Sequence, residues 1–400
     1  MIYLDYSATT PVSYDVLESY NRATRDYVGN ANSIHALGMK SRALLNSATH
    51  QIAEIFNIQD NEIIYTSGAT ESNNLALIGI ANKYKSRGNH IIVSKLEHPS
   101  IYEIASYLET QGFKISYVNN TEEGLIDFDD LRKKIRPETI LVSICGVNSE
   151  TGVRQPLKTI RQIIKKENLL TLFHSDLTQA VGKVSVNLHD VDLASMSAHK
   201  IFGPKGIGIL YKADKIELVP LIHGSSKGNN VRPGTPALPL IVALSKALRI
   251  ALTDLEKKEM YVKRLNDKII DDLSNYEGIK INQSKYSIPY ILNISLMNIK
   301  PETFIHAMEE HEVYLSTNTA CSSGDLSTSV MAMYNDAKRA VSTIRISLAS
   351  ITTNDEINKF LKYFHEEYDR LNIKKGWLIQ SFLVVLNIKK YVIIQKQRSD

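Results

Sequence analysis

The chain has 400 residues, which is enough for one large domain and a smaller one. Apolar residues make up 43% of it and charged residues 22%, proportions typical of a soluble globular protein. The formal net charge is +4, but residues 374–400 alone carry +5, so the rest of the chain is close to neutral. Charge therefore gives no support to direct binding of nucleic acid.

The two cysteines, Cys145 and Cys321, are too few for a disulfide framework or a zinc site. Cys145 ends an apolar run and is interpreted as a buried small residue. Cys321 lies among small and polar residues, a setting that suits a reactive thiolate. The N-terminus has no basic segment with an apolar core, and no apolar run reaches membrane-spanning length. We therefore expect a cytoplasmic protein that neither binds metal nor enters a membrane.

Strand and helix patterns alternate in the first half of the chain. Strand-like runs occur at residues 62–66, 90–94, 114–118, 140–145 and 171–174, with helical segments between them. This alternation predicts an α/β fold with a mainly parallel sheet that is covered on both faces. Ligands of such sheets bind at the carboxyl ends of the strands.

From about residue 250 the pattern changes to a long charged helix, short alternating elements and a final amphipathic helix that begins with a capping box at residues 353–356. We expect a large α/β domain over residues 12–250 and a smaller α+β domain formed by residues 1–11 and 251–373. Residues 374–400 form an atypical tail. An extra helix or strand, an interfacial segment and a stretch without selected structure all remain open for it.

Two strand-like runs flank a polar corner at residues 197–200, which read Ser-Ala-His-Lys. Alone, this corner is most simply a turn with a solvated lysine. A desolvated lysine is instead a nucleophile towards carbonyl compounds, including the aldehyde of pyridoxal phosphate. Ser197 and His199 could hold the phosphate of the same cofactor.

Polar residues follow other predicted strands in the same way. Thr70 opens a helix whose N-terminus suits a phosphate, although an ordinary helix cap is the simpler explanation of this motif taken alone. His98 could stack on a planar cofactor or could be a partly exposed cap residue. Asp176 could keep a pyridinium nitrogen protonated while Gln179 contacts the ring hydroxyl, or Asp176 could simply cap a helix. Arg345 lies among apolar residues and suits either a substrate carboxylate or a structural ion pair.

The order of these motifs is more informative than any one of them. In sequence they read Ser67-Gly-Ala-Thr-Glu-Ser-Asn-Asn-Leu75, Glu97-His98, Val147-Asn-Ser-Glu-Thr-Gly152, Asp176-x-x-Gln179, Ser197-Ala-His-Lys-Ile-x-Gly-Pro-Lys-Gly206, Arg232-x-Gly-Thr235, Ala320-Cys-Ser-Ser-Gly324 and Arg345-Ile-Ser-Leu348. This series resembles the cysteine desulfurases, which are pyridoxal-phosphate enzymes of the class V aminotransferase group. The resemblance extends from residue 2 to about residue 372.

The resemblance implies the fold of type I pyridoxal-phosphate enzymes, with the cofactor held covalently on Lys200. The implied cofactor-binding residues are Ala69, Thr70, His98, Asn148, Ser149, Asp176, Gln179, Ser197, His199, Lys200 and Thr235. Thr235 would reach the phosphate from a partner subunit, so the resemblance implies a homodimer. Arg345 would bind the substrate carboxylate.

The implied reaction converts L-cysteine to L-alanine and leaves the sulfur as a persulfide on Cys321, with Lys200 and His98 as the other catalytic residues. A sulfur-acceptor protein would then take the sulfur for iron–sulfur cluster assembly or for thiolation of tRNA or a cofactor. The chain departs from the family in having Ser149 in place of an asparagine and in lacking the glycine-rich pattern at residues 223–232. Selenocysteine lyase, another class V reaction and a degenerate scaffold remain as alternatives.

Overall fold

A computed structural model describes residues 1–224, 231–317 and 326–372. Its strands are β1 (Ile2–Tyr3), β2 (Ile63–Thr66), β3 (His90–Ser94), β4 (Lys114–Val118), β5 (Thr139–Ser143), β6 (Leu172–Asp176), β7 (Leu193–Ser197), β8 (Gly208–Lys212), β9 (Ile279–Ile281), β10 (Ile291–Leu296), β11 (Val313–Tyr314) and β12 (Thr343–Ser347). Its helices are α1 (Tyr14–Asp26), α2 (Ala36–Phe56), α3 (Ala69–Tyr84), α4 (Pro99–Thr110), α5 (Phe128–Lys134), α6 (Leu157–Glu167), α7 (Leu238–Leu252), α8 (Leu255–Leu273), α9 (Pro301–Glu309), α10 (Thr328–Tyr334), α11 (Ala337–Val341) and α12 (354–372).

Seven strands form the main sheet in the order β2-β8-β7-β6-β5-β3-β4. Strands β3 to β7 pair in parallel, whereas β8 is antiparallel to both β7 and β2. Strand β8 runs antiparallel to β7 because only a short turn joins the two, and a parallel pairing needs a longer crossover. The prediction of a mainly parallel sheet is therefore confirmed.

Helices cover both faces of this sheet. Ile92 of β3 belongs to one apolar cluster, while its neighbours Ile91 and Val93 belong to a second cluster that also contains residues of α3 and α4. Side chains alternate between faces along a strand, so two separate clusters mean that both faces are buried. This arrangement leaves the ends of the strands as the place where polar groups can meet a ligand.

Two smaller sheets bring the N-terminus towards the main sheet. Strands β12, β10 and β9 form an antiparallel sheet, and β1 pairs in parallel with β11. The chain then runs beside β12 through a bridge between Asp5 and Ser347, and it reaches the turn after β7, where the Thr10 N–H donates to the His199 carbonyl over 2.8 Å. The domain boundaries remain a prediction. The presence of three separate sheets is compatible with them.

A close backbone approach shapes the start of β8. Gly208 pairs with Thr66 on one side and with Ser197 on the other. A Cβ at residue 208 would lie 2.6 Å from the Met196 carbonyl oxygen and 2.7 Å from the Gly68 Cα. Only glycine therefore allows the turn before α3 to lie against the end of β7.

Most of the predicted elements agree with the structure. The runs 90–94 and 114–118 are strands β3 and β4, and the capping box is present because the Thr353 and Glu356 side chains accept each other's backbone N–H groups. The alternative interpretation of Asp176 as a helix cap was wrong: Asp176 ends β6, which extends two residues beyond the predicted run and pairs there with β7. No helix in the described part of the chain combines the length and the apolar character needed to cross a membrane.

His174 lies in the middle of β6, fully buried, between the hydroxyl groups of Ser143 at 2.9 Å and Ser195 at 3.0 Å. Burial lowers the pKa of His174 to about 4. The ring is therefore neutral in the folded chain, whereas the unfolded chain takes up a proton below the ordinary histidine pKa of about 6.5. The resulting stabilisation is complete above that value and is lost as the pH falls.

We predict that lowering the pH from 7 to 5 reduces the free energy of unfolding, with about 2 kcal/mol of the loss due to His174. In urea denaturation, the free energy of unfolding of His174→Gln should fall by about 2 kcal/mol less than that of the wild type over the same pH interval. His306→Gln, at an exposed position on α9, is the control and should retain the wild-type pH dependence. Equal pH dependence in the wild type and His174→Gln would contradict the assignment.

Candidate active site

A cleft of about 590 Å³ opens at the carboxyl ends of five strands of the main sheet, β2, β3, β5, β6 and β7. It contains all but two of the predicted site residues that the structure describes. Those that line it are Ala69, Thr70, His98, Ser149, Asp176, Gln179, Ser197, His199, Lys200 and Arg345. The sequence motifs therefore converge on one site although they are spread over 276 residues from Ala69 to Arg345.

Lys200 ends the short turn between β7 and β8 and reaches into this cleft. Its Nζ donates to the backbone carbonyls of Ser7 at 2.5 Å and Ala8 at 2.7 Å. The N-terminal segment thus lies against the turn, and Lys200 is not the solvated residue that the simpler interpretation expected. A partly buried amine at this position is suited to nucleophilic chemistry.

The end of the cleft around α3 is suited to an anion. Ala69 and Thr70 form the first turn of a 16-residue helix, and Ser197 and His199 lie beside it at the end of β7. Burial and the neighbouring Lys200 lower the pKa of His199 to about 4, so its ring is neutral at neutral pH. Backbone N–H groups at a helix N-terminus, together with hydroxyl groups, are the usual ligands of a phosphate.

Asp176 is a buried carboxylate at the centre of the cleft. Its Oδ2 accepts from the Asn73 amide at 2.9 Å, and its Oδ1 accepts from the Thr178 backbone N–H at 2.9 Å. The carboxylate is oriented by these neutral donors alone among the described residues. It therefore suits a cationic partner in the cleft.

His98 is the N-cap of α4, where its Nδ1 accepts from the Ser100 backbone N–H at 3.1 Å. Burial lowers the pKa of His98, the charges of Lys200 and Arg345 lower it further, and Asp176 acts in the opposite direction. The ring is therefore neutral, and its proton lies on Nε2 because Nδ1 is an acceptor. A neutral ring of this kind can stack on an aromatic ligand or exchange a proton through Nε2.

Arg345 is the largest fully buried side chain described in the fold, and it lies at the cleft. Its Nη1 donates to the Ser149 carbonyl at 2.9 Å, and its Nη2 donates to Asp5 at 3.0 Å and to Ser316 at 2.9 Å. Its Nε has no hydrogen-bond partner. The structural ion pair is thus present, and one donor remains unpaired for a ligand.

Two other lining residues have unpaired polar atoms. The Oγ of Ser7 and the Oγ1 of Thr178 are buried without a partner. Buried polar atoms in native proteins are nearly always paired, because an unmade hydrogen bond costs about 1–3 kcal/mol. All three atoms belong to residues that line the cleft, which is compatible with a polar ligand at this site.

Two predicted residues lie away from the cleft. The Asn148 carbonyl oxygen accepts three hydrogen bonds within its own turn, and its amide donates to Leu96 and Ser329. The structure therefore does not support a cofactor contact from the Asn148 side chain. Thr235 lines a separate pocket that shares only Ser67 and Gly206 with the cleft.

Of the two cysteines, the structure describes Cys145. Cys145 is buried, its Sγ donates to the Leu96 carbonyl at 3.3 Å, and burial raises its pKa. The interpretation of Cys145 as a buried small residue is confirmed, and its side chain contributes to the lining of the cleft. Cys321 lies outside the described residues.

Comparison with known proteins is in agreement with this site. The family model named aminotransferase class V matches residues 2–360. The cysteine desulfurase IscS of Buchnera aphidicola subsp. Baizongia pistaciae is 39% identical over 387 residues, which cover 94% of this chain and 95% of that protein. The mitochondrial cysteine desulfurase of Saccharomyces cerevisiae is 35% identical and matches over 90% of this chain and 73% of its own.

The chain belongs to the cysteine desulfurases of the class V aminotransferase family. A solved NifS-like protein is similar in structure, with a TM-score of 0.88 and 34% identity over 92% of this chain and 100% of its own. A structure described as SspA in complex with cysteine has a TM-score of 0.76 and 32% identity over 88% of this chain and 100% of its own. The predictions of the family, of its fold and of an enzyme are confirmed.

Some residues of this desulfurase cleft were not singled out in the sequence. Ser7, Ala8 and Thr9 line it, and Thr9 contacts the His199 ring over 3.1 Å. The available signal was that Tyr3-Leu-Asp-Tyr6 and Thr9-Thr-Pro11 also resemble the start of the family. Lys183 was also missed, although a lysine between apolar residues was visible in the sequence.

Removal of the Asp5 carboxylate should destabilise the cysteine desulfurase, because it leaves the buried Arg345 guanidinium without its counter-charge. We expect Asp5→Ala to lower the free energy of unfolding by about 3 kcal/mol. Asp15→Ala, at an exposed position in the first turn of α1, is the control and should cost less than about 1 kcal/mol. Urea denaturation measures both, and equal effects would argue against the ion pair as a structural element.

Proposed function

We propose that the chain is a pyridoxal-phosphate-dependent enzyme that converts L-cysteine to L-alanine and carries the sulfur as a persulfide on Cys321. One observation carries this proposal: an amine, a buried carboxylate and a buried guanidinium with an unpaired N–H meet in one cleft, on Lys200, Asp176 and Arg345. An amine suits a carbonyl cofactor, and a guanidinium suits an amino-acid carboxylate.

The anion-binding end of the cleft fits the phosphate of the cofactor. Thr70 and Ser197 offer hydroxyl groups, His199 offers a neutral ring, and the first turn of α3 offers backbone N–H groups. The small side chain of Ala69 leaves those N–H groups accessible. In this assignment the phosphate binds to groups that the fold already holds close together.

The other end of the cleft fits the aromatic ring. In this proposal Asp176 pairs with the ring nitrogen, Gln179 donates to the ring hydroxyl and His98 stacks on the ring. These three residues and Ser149 all line the cleft, which supports the assignment. When bound, pyridoxal phosphate supplies an electron sink for the negative charge that remains after an α-proton leaves the substrate. The neutral donors to Asp176 keep its negative charge available for the ring.

The chain's own residues perform the remaining steps. Arg345 holds the carboxylate of L-cysteine through its unpaired Nε, while Asp5 keeps the guanidinium in place. The Lys200 Nζ would take the α-proton of the substrate and return a proton to the same carbon before alanine leaves. The Cys321 thiolate then attacks the substrate sulfur: an S–S bond forms, the C–S bond breaks, and the carbon that keeps the electron pair takes a proton to give alanine.

A sulfur-acceptor protein completes the proposed cycle by taking the outer sulfur of the persulfide through its own thiol. An iron–sulfur scaffold, a tRNA-thiolation enzyme and a thiamine-pathway carrier all fit this chemistry. Trapping of a mixed disulfide with Cys321 would identify the acceptor. The proposal places this exchange in the cytoplasm.

Two substitutions separate the proposed roles. Lys200→Ala should abolish the visible absorption of bound cofactor and the formation of alanine from L-cysteine. Cys321→Ala should keep the absorption but lower alanine formation by at least about 100-fold, because the sulfur has no nucleophile to receive it. Cys145→Ala is the matched thiol control and should still become labelled with persulfide sulfur. Undiminished alanine formation by Cys321→Ala would contradict the proposed role of Cys321.

We also propose that the enzyme is a homodimer. Thr235 lies outside the cleft of its own subunit, as expected if it serves the partner's cleft. Apolar side chains are strongly exposed near the start of α2, including Val28 at 75% and Ile34 at 90%. Neighbouring exposed apolar residues of this kind mark a contact surface.

We predict that Ile34→Asp converts the dimer to a monomer and weakens cofactor binding, because the cleft would lose the partner's Thr235. Light scattering measures the first effect and equilibrium dialysis of pyridoxal phosphate the second. Ile351→Asp, at an exposed position before α12, should remain dimeric. A monomeric wild type, or a dimeric Ile34→Asp, would count against the assignment.

A further inference from the structure

A buried lysine that the proposed mechanism does not use lies next to the cleft. Lys183 is 5% exposed, and its Nζ donates to the Oε1 of Gln179. Burial lowers the pKa of Lys183 far below its usual range, and the charges of Lys200 and Arg345 add to the effect. Burial of an amine costs free energy, so a buried lysine at this position indicates a specific functional or structural role.

The hydrogen bonds of Gln179 indicate the role of Lys183. Its Oε1 faces Lys183, and its Nε2 donates to the Ser7 carbonyl at 2.9 Å. A side-chain amide whose oxygen has no hydrogen-bond donor can flip, which exchanges the positions of its oxygen and nitrogen. A lysine has N–H groups to donate in either charge state, so it fixes the oxygen on its own side.

The Gln179 nitrogen has two N–H groups, and the Ser7 carbonyl takes one of them. The second has no acceptor among the described residues, and Gln179 lines the cleft. We infer that Lys183 is a positioning residue, which holds the Gln179 amide so that an N–H group is available to an anionic oxygen of the bound ligand. This inference rests on the proposed function, in which that oxygen is the ring hydroxyl of pyridoxal phosphate.

Lys183→Met, which keeps the length of the side chain without its donor, tests the inference through cofactor affinity. Equilibrium dialysis should show pyridoxal phosphate bound about tenfold more weakly by Lys183→Met and by Gln179→Leu. The double variant should bind no more weakly than Gln179→Leu alone, because Lys183 acts through Gln179. Additive losses, or an unchanged affinity of Lys183→Met, would overturn the inference.

An analogue of pyridoxal phosphate that lacks the ring hydroxyl identifies the oxygen concerned. Wild type and Lys183→Met should bind this analogue equally, because the acceptor of the Gln179 N–H is absent. A tenfold difference that persists with the analogue would contradict the assignment. Lys183→Gln keeps a donor and should stay within about threefold of wild type for pyridoxal phosphate, whereas a Gln variant as weak as the Met variant would count against the donor role.

Lys212→Met is the matched control. Lys212 is also partly buried and donates to backbone carbonyls, but it lies on β8 away from the cleft, so its replacement should leave cofactor affinity unchanged. Thermal unfolding without cofactor should differ little between Lys183→Met and wild type, because the removal of a buried amine offsets the cost of leaving the Gln179 Oε1 without its donor. A large loss of stability without cofactor would indicate a merely structural lysine. Failure of the wild type to bind pyridoxal phosphate would overturn the proposed function itself.

Discussion

The contact between the N-terminal segment and the turn after β7 is the feature on which the site depends. Thr10 binds the His199 carbonyl through both its N–H and its hydroxyl, and that hydroxyl accepts from the Phe202 N–H. The same segment supplies the carbonyls that hold Lys200. Residues almost 200 positions apart in the sequence therefore form one wall. The smaller sheets lie next to the main sheet because the chain passes from β1 along β12 to this contact.

A second set of polar contacts fixes the chain on either side of residues 318–325. Ser316 donates to Asp5 and accepts from Arg345, which ties the chain before that segment to the proposed carboxylate site. After it, Ser327 donates to the buried Glu150, and Ser329 accepts from Asn148. Asn148 thus has a defined part in the fold although it makes no cleft contact. Polar side-chain contacts therefore hold Ser316 and Ser327, which lie in the described chain before and after residues 318–325.

The sequence was sufficient for the sheet and for most of the cleft because both follow local rules. Five strand-like runs with helices between them require a mainly parallel sheet, and polar residues after strands then meet at one edge. The resemblance supplied the role of each residue. The environments of Asn148 and Lys183 could not be predicted in this way. The hydrogen bonds of Asn148 to its own turn and the burial of Lys183 beneath Gln179 depend on how distant segments pack, and no spacing in the sequence encodes that packing.

The polar groups around the cleft also have a cost in stability. Burial raises the pKa of Glu97 to about 8, so this side chain is protonated at neutral pH, and its Oε2 has no partner. Lys183 is a buried amine whose pKa is lowered by burial and, to a smaller extent, by the charges of Lys200 and Arg345. An apolar cleft would be more stable, but it could hold neither a phosphate nor a carboxylate. In the proposed complex the ligand would supply hydrogen-bond partners to Arg345, Ser7 and Thr178, and part of the binding free energy would come from these bonds.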